Sequence, residues 1–311
     1  MDARSACELS VVICTSDRGD VLAGALESLY AQSASSASFE VVVIDNSAGR
    51  TAEPLLAKAG SRVQHVIRYV HEPAPGLSLA RNAGLHTAAG QIVAFLDDDA
   101  RAAPQWIEAL LRGLSESRAA AVGGPVSLDL QAPPPPWLTG DLRSYLGESD
   151  FGPRARFLQW PEYPFGLNFA VKRGVARRIG GFRHDLGRVG QSLLSGEERE
   201  FFFRLYNGGE TVYYCPDAVV HHLVPPERLR PPFFRRRLFW EGRSQRRVER
   251  LPGLRGESGG VPRASLRMLR SLLLSGAASA VGDDPRAFLE ECRGRLALGY
   301  LWEAASELIH G

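Results

Sequence analysis

Apolar residues along this chain come in two rhythms. Continuous apolar, β-branched runs at 9–15 (LSVVICT), 39–47 (FEVVVIDNS), 63–70 (VQHVIRYV) and 91–99 (QIVAFLDDD) predict strands buried on both faces. Between them, apolar positions three and four apart predict helices at 21–32, 51–59 and 76–90, the last capped by Gly90. A helix at 104–114 carries Pro104 in its first turn, where a missing N–H costs nothing. A further strand is expected at 119–128. Strands alternating with helices predict an α/β chain with a mostly parallel sheet in three layers. Ligands of such sheets bind beyond the carboxyl ends of the strands. Three of those ends carry polar residues: Thr15 and Asp17, then Asp45, then Asp97 to Asp99.

The rhythm changes after 128. The stretch 131–142 (QAPPPPWLTGDL) suits neither a helix nor a central strand and reads as a loop or the start of a flap. A strand is expected at 165–173, a short glycine-closed helix at 174–182, and a helix at 196–209 with acidic residues in its first turn. Residues 211–224 read as a strand pair or one bent strand. Residues 227–250 are arginine-rich with interleaved Phe and Trp, and 263–311 predict two or three helices. The expected organisation is therefore a domain at 1–225, with halves at 9–127 and 128–225, followed by a helical extension at 226–311.

Composition narrows the setting. The formal net charge of +2 gives no general reason to bind nucleic acid. Lys58 and Lys172 are the only lysines. Cys7, Cys14, Cys215 and Cys292 form no C-x-x-C pair and no zinc spacing. The amino-terminal MDARSACELS lacks the apolar stretch of a signal peptide, and the apolar segment 271–281 is too short to span a bilayer. A reducing, cytoplasmic location is the expectation.

Three successive aspartates ending a buried strand need compensation, by water at a turn or by a cation. Strand alternation would turn Asp97 and Asp99 to one side and Asp98 to the other. Oxygen ligands of this kind suit Mg²⁺ or Mn²⁺, with phosphate and water completing the shell. The bland alternative is an acidic turn ahead of the helix at 104.

The ordered stretches SVVICTSDR, VVVIDNSA, PGLSLARNAGLHTAAGQIVAFLDDDA (75–100), FGLNFAVKR, GGF and GEEREFFFRL resemble the inverting glycosyltransferases of family 2, which have the GT-A fold. The resemblance spans roughly 9–225. It implies a Rossmann-like nucleotide-diphospho-sugar transferase, its sheet flanked by helices. It implies that Thr15, Asp17 and Arg18 line a nucleotide pocket and that Asp45 meets the base or ribose. It places Arg81 and Asn82 near the base and phosphates, Asp98 and Asp97 at the donor, and Asp99 and Asp97 on Mn²⁺ or Mg²⁺. Relatives carry Glu-Asp after a glycine, whereas this chain reads GEERE, so Glu198 stands where the catalytic Asp is expected. Glutamate has a similar proton affinity and one more methylene. Glu197 is then a candidate acceptor contact, and Gly166 and Asn168 lie beside donor sugar and acceptor.

His222 aligns with a metal-ligating histidine, and His221 then points away. Each is also a candidate structural histidine. Trp137 and Trp160 are candidate sugar-stacking residues or core anchors. The segment 227–250 is a candidate peripheral membrane contact or a solvated helix packed by its aromatics. The implied partners are a nucleotide-sugar donor, read as a UDP-sugar, and a sugar, lipid-linked or natural-product acceptor. The rival readings are a non-catalytic nucleotide-sugar-binding scaffold and a sugar nucleotidyltransferase. CTSDRGD lacks the Gly-rich phosphate loop of the latter.

Overall fold

A computed structural model describes residues 7–33, 39–59, 66–254 and 259–310. The start of the expected strand at 63–70 and residues 1–6 of the amino-terminal segment lie outside the described residues. Strands β1 (Leu9–Thr15), β2 (Phe39–Asp45), β3 (Val66–His71) and β4 (Ile92–Asp97) alternate with helices α1 (Gly19–Tyr30), α2 (Glu53–Ala59) and α3 (Leu77–Thr87). Then come β5 (Ala100–Ala102), α4 (Trp106–Ser117), β6 (Ala121–Gly123), β7 (Val126–Leu130) and the short α5 (Gly140–Arg143). They are followed by β8 (Arg156–Phe157), β9 (Asn168–Lys172), α6 (Arg173–Arg178), α7 (Glu197–Asn207), β10 (Val212–Tyr214) and β11 (Val220–Val224). Three helices close the chain: α8 (Pro231–Glu249), α9 (Gly260–Ala280) and α10 (Asp284–His310).

The chain divides into two compact units. The first holds Met1–Asp129, Gly147–His184 and Glu198–Leu223, and contains an eight-stranded sheet in the order β3-β2-β1-β4-β9-β6-β10-β8. From β3 to β4 every pairing is parallel, because each helix returns the chain to the same edge. β9 runs antiparallel to both β4 and β6. Alternate strand residues feed two separate cores. Val11, Ile13, Val41, Val43 and Leu96 pack with α1 and α4 on one face. Val12, Val42, Val93 and Phe95 pack with α3 and the α7 residues Phe201, Phe202 and Leu205 on the other. Burial on both faces explains why the strands read as continuous apolar runs.

Two local expectations are corrected. Helix α3 ends at Thr87 with Ala88 as its cap, so Gly90 does not cap it. Gly90 instead lies against β1, where a Cβ would come 2.7 Å from the Ser10 nitrogen. The run 119–128 is two strands in two different sheets, β6 in the large sheet and β7 in a three-stranded sheet ordered β5-β11-β7. The break falls at Gly124–Pro125: a Cβ on Gly124 would overlap the Ala218 carbonyl, and Pro125 has no N–H for a ladder.

The second unit holds Leu130–Leu146, Asp185–Glu197 and Val224–Gly311, and is therefore wider than the 226–311 extension expected. Gly242 of α8 and Gly299 of α10 let these helices approach backbone to backbone, since a Cβ on either would overlap a carbonyl of the other helix. Arginines of α8 pair with glutamates of α10: Arg235 with Glu291, Arg243 and Arg247 with Glu303, and Arg246 with Glu307. Trp137 packs on Phe234 and Phe288 as a core anchor. Within 227–250, Arg235, Arg243, Arg246, Arg247 and Arg250 are thus engaged by carboxylates of α10. Among the described residues no helix is long and apolar enough to cross a membrane.

Candidate functional site

Strand order reverses in direction around β1, which has β2 on one side and β4 on the other. At such a switch point the loops leave in opposite directions and open a crevice at the carboxyl edge. Thr15 and Asp97 end the two strands that meet there. β4 stops at Asp97, so Asp98 and Asp99 belong to a turn and strand alternation no longer applies to them. This reverses the expected division of the triplet. Asp98 and Asp99 converge, and Asp97 faces elsewhere.

Asp98 accepts a hydrogen bond from the Thr15 hydroxyl at 2.8 Å. The Arg18 guanidinium bridges the two buried carboxylates, with Nη1 2.7 Å from Asp98 and Nη2 2.7 Å from Asp99. Burial and the neighbouring Asp99 raise the Asp98 carboxyl to about 7, against the opposing pull of Arg18 and Thr15. Asp17, exposed, adopts a left-handed conformation with φ 55°, which aspartate tolerates. A cavity of about 240 Å³ borders Asp98 and Asp99 and is lined by Val21, Ala25 and Leu223 among others.

After the turn, β5 pairs with β11, and His222 falls opposite Ala100. This register brings the His222 Nε2 to 3.3 Å from Asp99 Oδ1. His221, one residue earlier, is exposed on the other face, its Nδ1 2.7 Å from the Ser127 hydroxyl. Two cis donors on one octahedral ion with bonds of about 2.1 Å lie roughly 3 Å apart, so Asp99 and His222 fit a shared Mn²⁺ or Mg²⁺. Among the described residues no group of three or more His, Cys, Asp or Glu side chains could hold a metal. A two-ligand site of this kind leaves most positions to phosphate and water, as Mg²⁺ prefers.

On the other side of the strand end, Arg81 of α3 is buried at 2% exposure and lies over the Phe182 ring at 5.5 Å. Its guanidinium reaches Glu198 Oε1 at 3.0 Å and Asp97 Oδ1 at 3.6 Å. Asp97, expected on the metal, is therefore turned to Arg81. Gly166 completes the cluster. A Cβ there would overlap both the Glu198 carboxylate and the Arg81 guanidinium, so only glycine leaves room for the pair.

Three residues expected at the ligand bond extensively within the protein. Asp45 is fully buried and accepts from the Ser47 N–H and hydroxyl, the Ala52 N–H and the Tyr69 hydroxyl, which fixes the loop after β2. Asn168 is fully buried as well. Its amide donates to the Pro125 and Ala218 carbonyls and accepts from the Trp106 indole, which fixes β9 against the loops before β7 and β11. Asn82 clasps Phe182, donating to its carbonyl at 2.8 Å and accepting from its N–H at 2.8 Å. Glu197, at the start of α7, is buried at 2% exposure. Trp160 packs among Tyr163, Phe203 and Tyr206 as an anchor.

The Asn82 clasp shows what sequence reasoning missed. Asn82 from α3 and Arg204 from α7 both hold the Gly180–Phe182 turn, Arg204 donating to the Gly181 carbonyl at 2.6 Å. Gly181, at φ 68°, leaves room for the Asn82 side chain. The turn thus fixes α3 against α7, and with them Arg81 against Glu198. The one available signal was Glu200 and Arg204 at helical i, i+4 spacing, which the structure joins at 2.6 Å.

A parallel half, a carboxylate turn at its switch point and an antiparallel strand beside β4 define a GT-A transferase fold. A solved mannosyltransferase from Pyrobaculum calidifontis, in complex with GDP-Man and Mn²⁺, shares it with a TM-score of 0.66 at 19% identity, over 95% of this chain and 87% of that one. The profile of glycosyl transferase family 2 matches residues 10–180, and the chain belongs to that family. It is 32% identical to the succinoglycan biosynthesis protein ExoM of Rhizobium meliloti, over 79% of this chain and 77% of that protein. It is 29% identical to a glucosyl-dolichyl phosphate glucuronosyltransferase of Haloferax volcanii, over 78% of each. The protein is a glycosyltransferase, acting between a nucleotide-sugar donor and a sugar acceptor.

Proposed function

We propose that the chain transfers a sugar with inversion from a UDP-sugar to a hydroxyl of a saccharide acceptor, in a metal-dependent reaction. One observation carries this reading. At the end of β4, Asp99 meets His222, a pair of metal-competent ligands, while Arg81 joins Asp97 to a candidate base, Glu198. A leaving group and an attacking group must sit on opposite sides of the anomeric carbon for inversion, and a metal site distinct from the base is consistent with that requirement.

Asp99 and His222 would hold Mn²⁺ or Mg²⁺, which supplies Lewis-acid stabilisation of the departing diphosphate. Thr15 orients the Asp98 carboxylate, which in turn is placed for a ribose hydroxyl. Arg18 lies within the same cluster as a cation for the diphosphate. Glu198 accepts the proton of the acceptor hydroxyl as its oxygen bonds to the anomeric carbon and the bond from that carbon to the diphosphate breaks. Arg81 aims the Glu198 carboxylate, through the ion pair at 3.0 Å. The name of the Haloferax relative supports a lipid-linked glycoside as one acceptor class.

The test is transfer from a panel of UDP-sugars to oligosaccharide and lipid-linked acceptors, with Mn²⁺ or with chelator, reading the anomeric configuration of the product by NMR. Glu198→Gln is expected to lower kcat by about 10²–10⁴-fold while leaving donor affinity nearly unchanged. Full turnover by that variant would remove Glu198 from its role. Product with retained configuration, or equal rates in chelator, would overturn inversion or metal dependence respectively.

A further inference from the structure

Arg18 closes the short loop between β1 and α1. Its backbone is fixed, because the Arg18 carbonyl accepts from the Val21 and Leu22 N–H groups. Its side chain makes no capping bond to α1 and reaches the end of β4 instead, one nitrogen on Asp98 and another on Asp99. The three groups differ in exposure. The Arg18 side chain is 34% exposed and each carboxylate 5%. Arg18 is thus the outer member of the cluster, carried on a long flexible stem. Each carboxylate also has a second partner: Thr15 donates to Asp98, and His222 faces Asp99. Withdrawal of the guanidinium leaves neither carboxylate alone.

Arg18 therefore sits on the carboxylate that, with His222, is read as the holder of Mn²⁺ or Mg²⁺, and the inference rests on that reading. Two cations on one largely buried carboxylate repel, and burial removes much of the screening that would soften the repulsion. A divalent ion on Asp99 works against the Arg18 ion pair. A diphosphate changes the balance. It returns to Arg18 the negative charge lost on leaving Asp99, and a guanidinium matches phosphate oxygens through paired N–H donors. We propose that Arg18 competes with the metal for Asp99 and is drawn off by the donor diphosphate, so that the metal is held tightly only together with a nucleotide diphosphate. The coupling is reciprocal: the factor by which the diphosphate strengthens metal binding is the factor by which the metal strengthens diphosphate binding.

Titration of the full chain with Mn²⁺, followed by electron paramagnetic resonance of the free ion, tests this with no sugar transfer involved. It is run with Mn²⁺ alone and with saturating UDP or GDP. Arg18→Gln should bind Mn²⁺ alone about tenfold or more tighter than the wild type, and the gain in Mn²⁺ affinity on adding nucleotide should shrink by a similar factor. Arg18→Lys keeps the charge but has one nitrogen for two carboxylates, so its affinity for Mn²⁺ alone should fall between the two. Should Arg18→Gln fail to fold, by circular dichroism, Arg18→Lys must still bind Mn²⁺ alone more tightly than the wild type. Asp99→Asn added to either variant should abolish the gain. Binding of Mn²⁺ alone that is equal or weaker in the folded Arg18 variants, with Mn²⁺ bound by all in the presence of nucleotide, overturns this inference and leaves the metal reading standing. A gain that survives Asp99→Asn also overturns it, since the ion then lies elsewhere. Absence of Mn²⁺ binding in every variant, with and without nucleotide, overturns the metal reading of Asp99 and His222 and this inference with it.

Discussion

At position 166 the lack of a side chain lets the Glu198 carboxylate and the Arg81 guanidinium meet beneath the loop. Gly166→Ala should push Glu198 off its line, and a small misplacement of a reacting group costs about 10²-fold in rate. Steady-state kinetics should show kcat falling with donor affinity retained. An unchanged kcat would separate Gly166 from the base. Asp45 gives the residue scale a pH dependence. Desolvation pushes its carboxyl up, but the bonds from Ser47, Ala52 and Tyr69 outweigh this, and the net shift is below the ordinary 3.8. Its stabilisation is therefore present above the unfolded pKa and is lost as pH falls through the folded one. Asp45→Asn should cost about 1–3 kcal/mol at pH 7 and much less near pH 3, by denaturant titration at both values. An equal cost at both would show that the charge is not what counts. Both residues stand out in the sequence as polar or glycine positions at strand ends. Their roles do not, because a carboxylate saturated by its own loop and one open to a ligand look alike along a chain.

At the scale of elements, the strands and most helices follow from apolar periodicity, since the strands of β1, β2 and β4 are buried on both faces and the helices on one. Register does not follow from it. β5 is three residues long, and nothing in ARA predicts that it pairs with β11, yet that pairing alone sets His222 beside Asp99. The split of 119–128 was legible in principle from Gly124–Pro125, but which sheet each half joins was not. Helix packing in the second unit yields a sharp expectation. A Cβ on Gly242 would overlap the Leu296 carbonyl and lie 2.7 Å from the Tyr300 nitrogen, so the backbone of α8 or α10 must move. Gly242→Ala should destabilise by about 1–3 kcal/mol, read as a lower melting temperature. Gly276→Ala, with open space around it on α9, should raise stability by up to about 1 kcal/mol. Opposite signs are required; a neutral Gly242→Ala would mean the helices separate without cost.

Over the whole molecule, the arginines of 227–250 illustrate how charge in a sequence is ambiguous. Read alone they form a basic segment suited to an anionic surface. Folded, five of them meet glutamates some sixty residues later, as Arg243 and Glu303 do at 2.6 Å, while Arg237 pairs with Glu241 of its own helix. The glutamates are largely buried, Glu303 at 9% and Glu307 at 16%, so these pairs set which faces of the helices meet. The sequence by itself determined the alternation of buried strands and helices, the family, and the strand end at AFLDDDA as the place for chemistry, because these depend on local periodicity and on motifs contiguous in the chain. Only the tertiary structure decided how the triplet divides, with Asp98 and Asp99 on Arg18 and Asp97 on Arg81. It also decided that Asn168, Asn82 and Asp45 serve the scaffold. The reason is physical: a polar side chain's role is set by which partners saturate it, and those partners lie up to a hundred residues away.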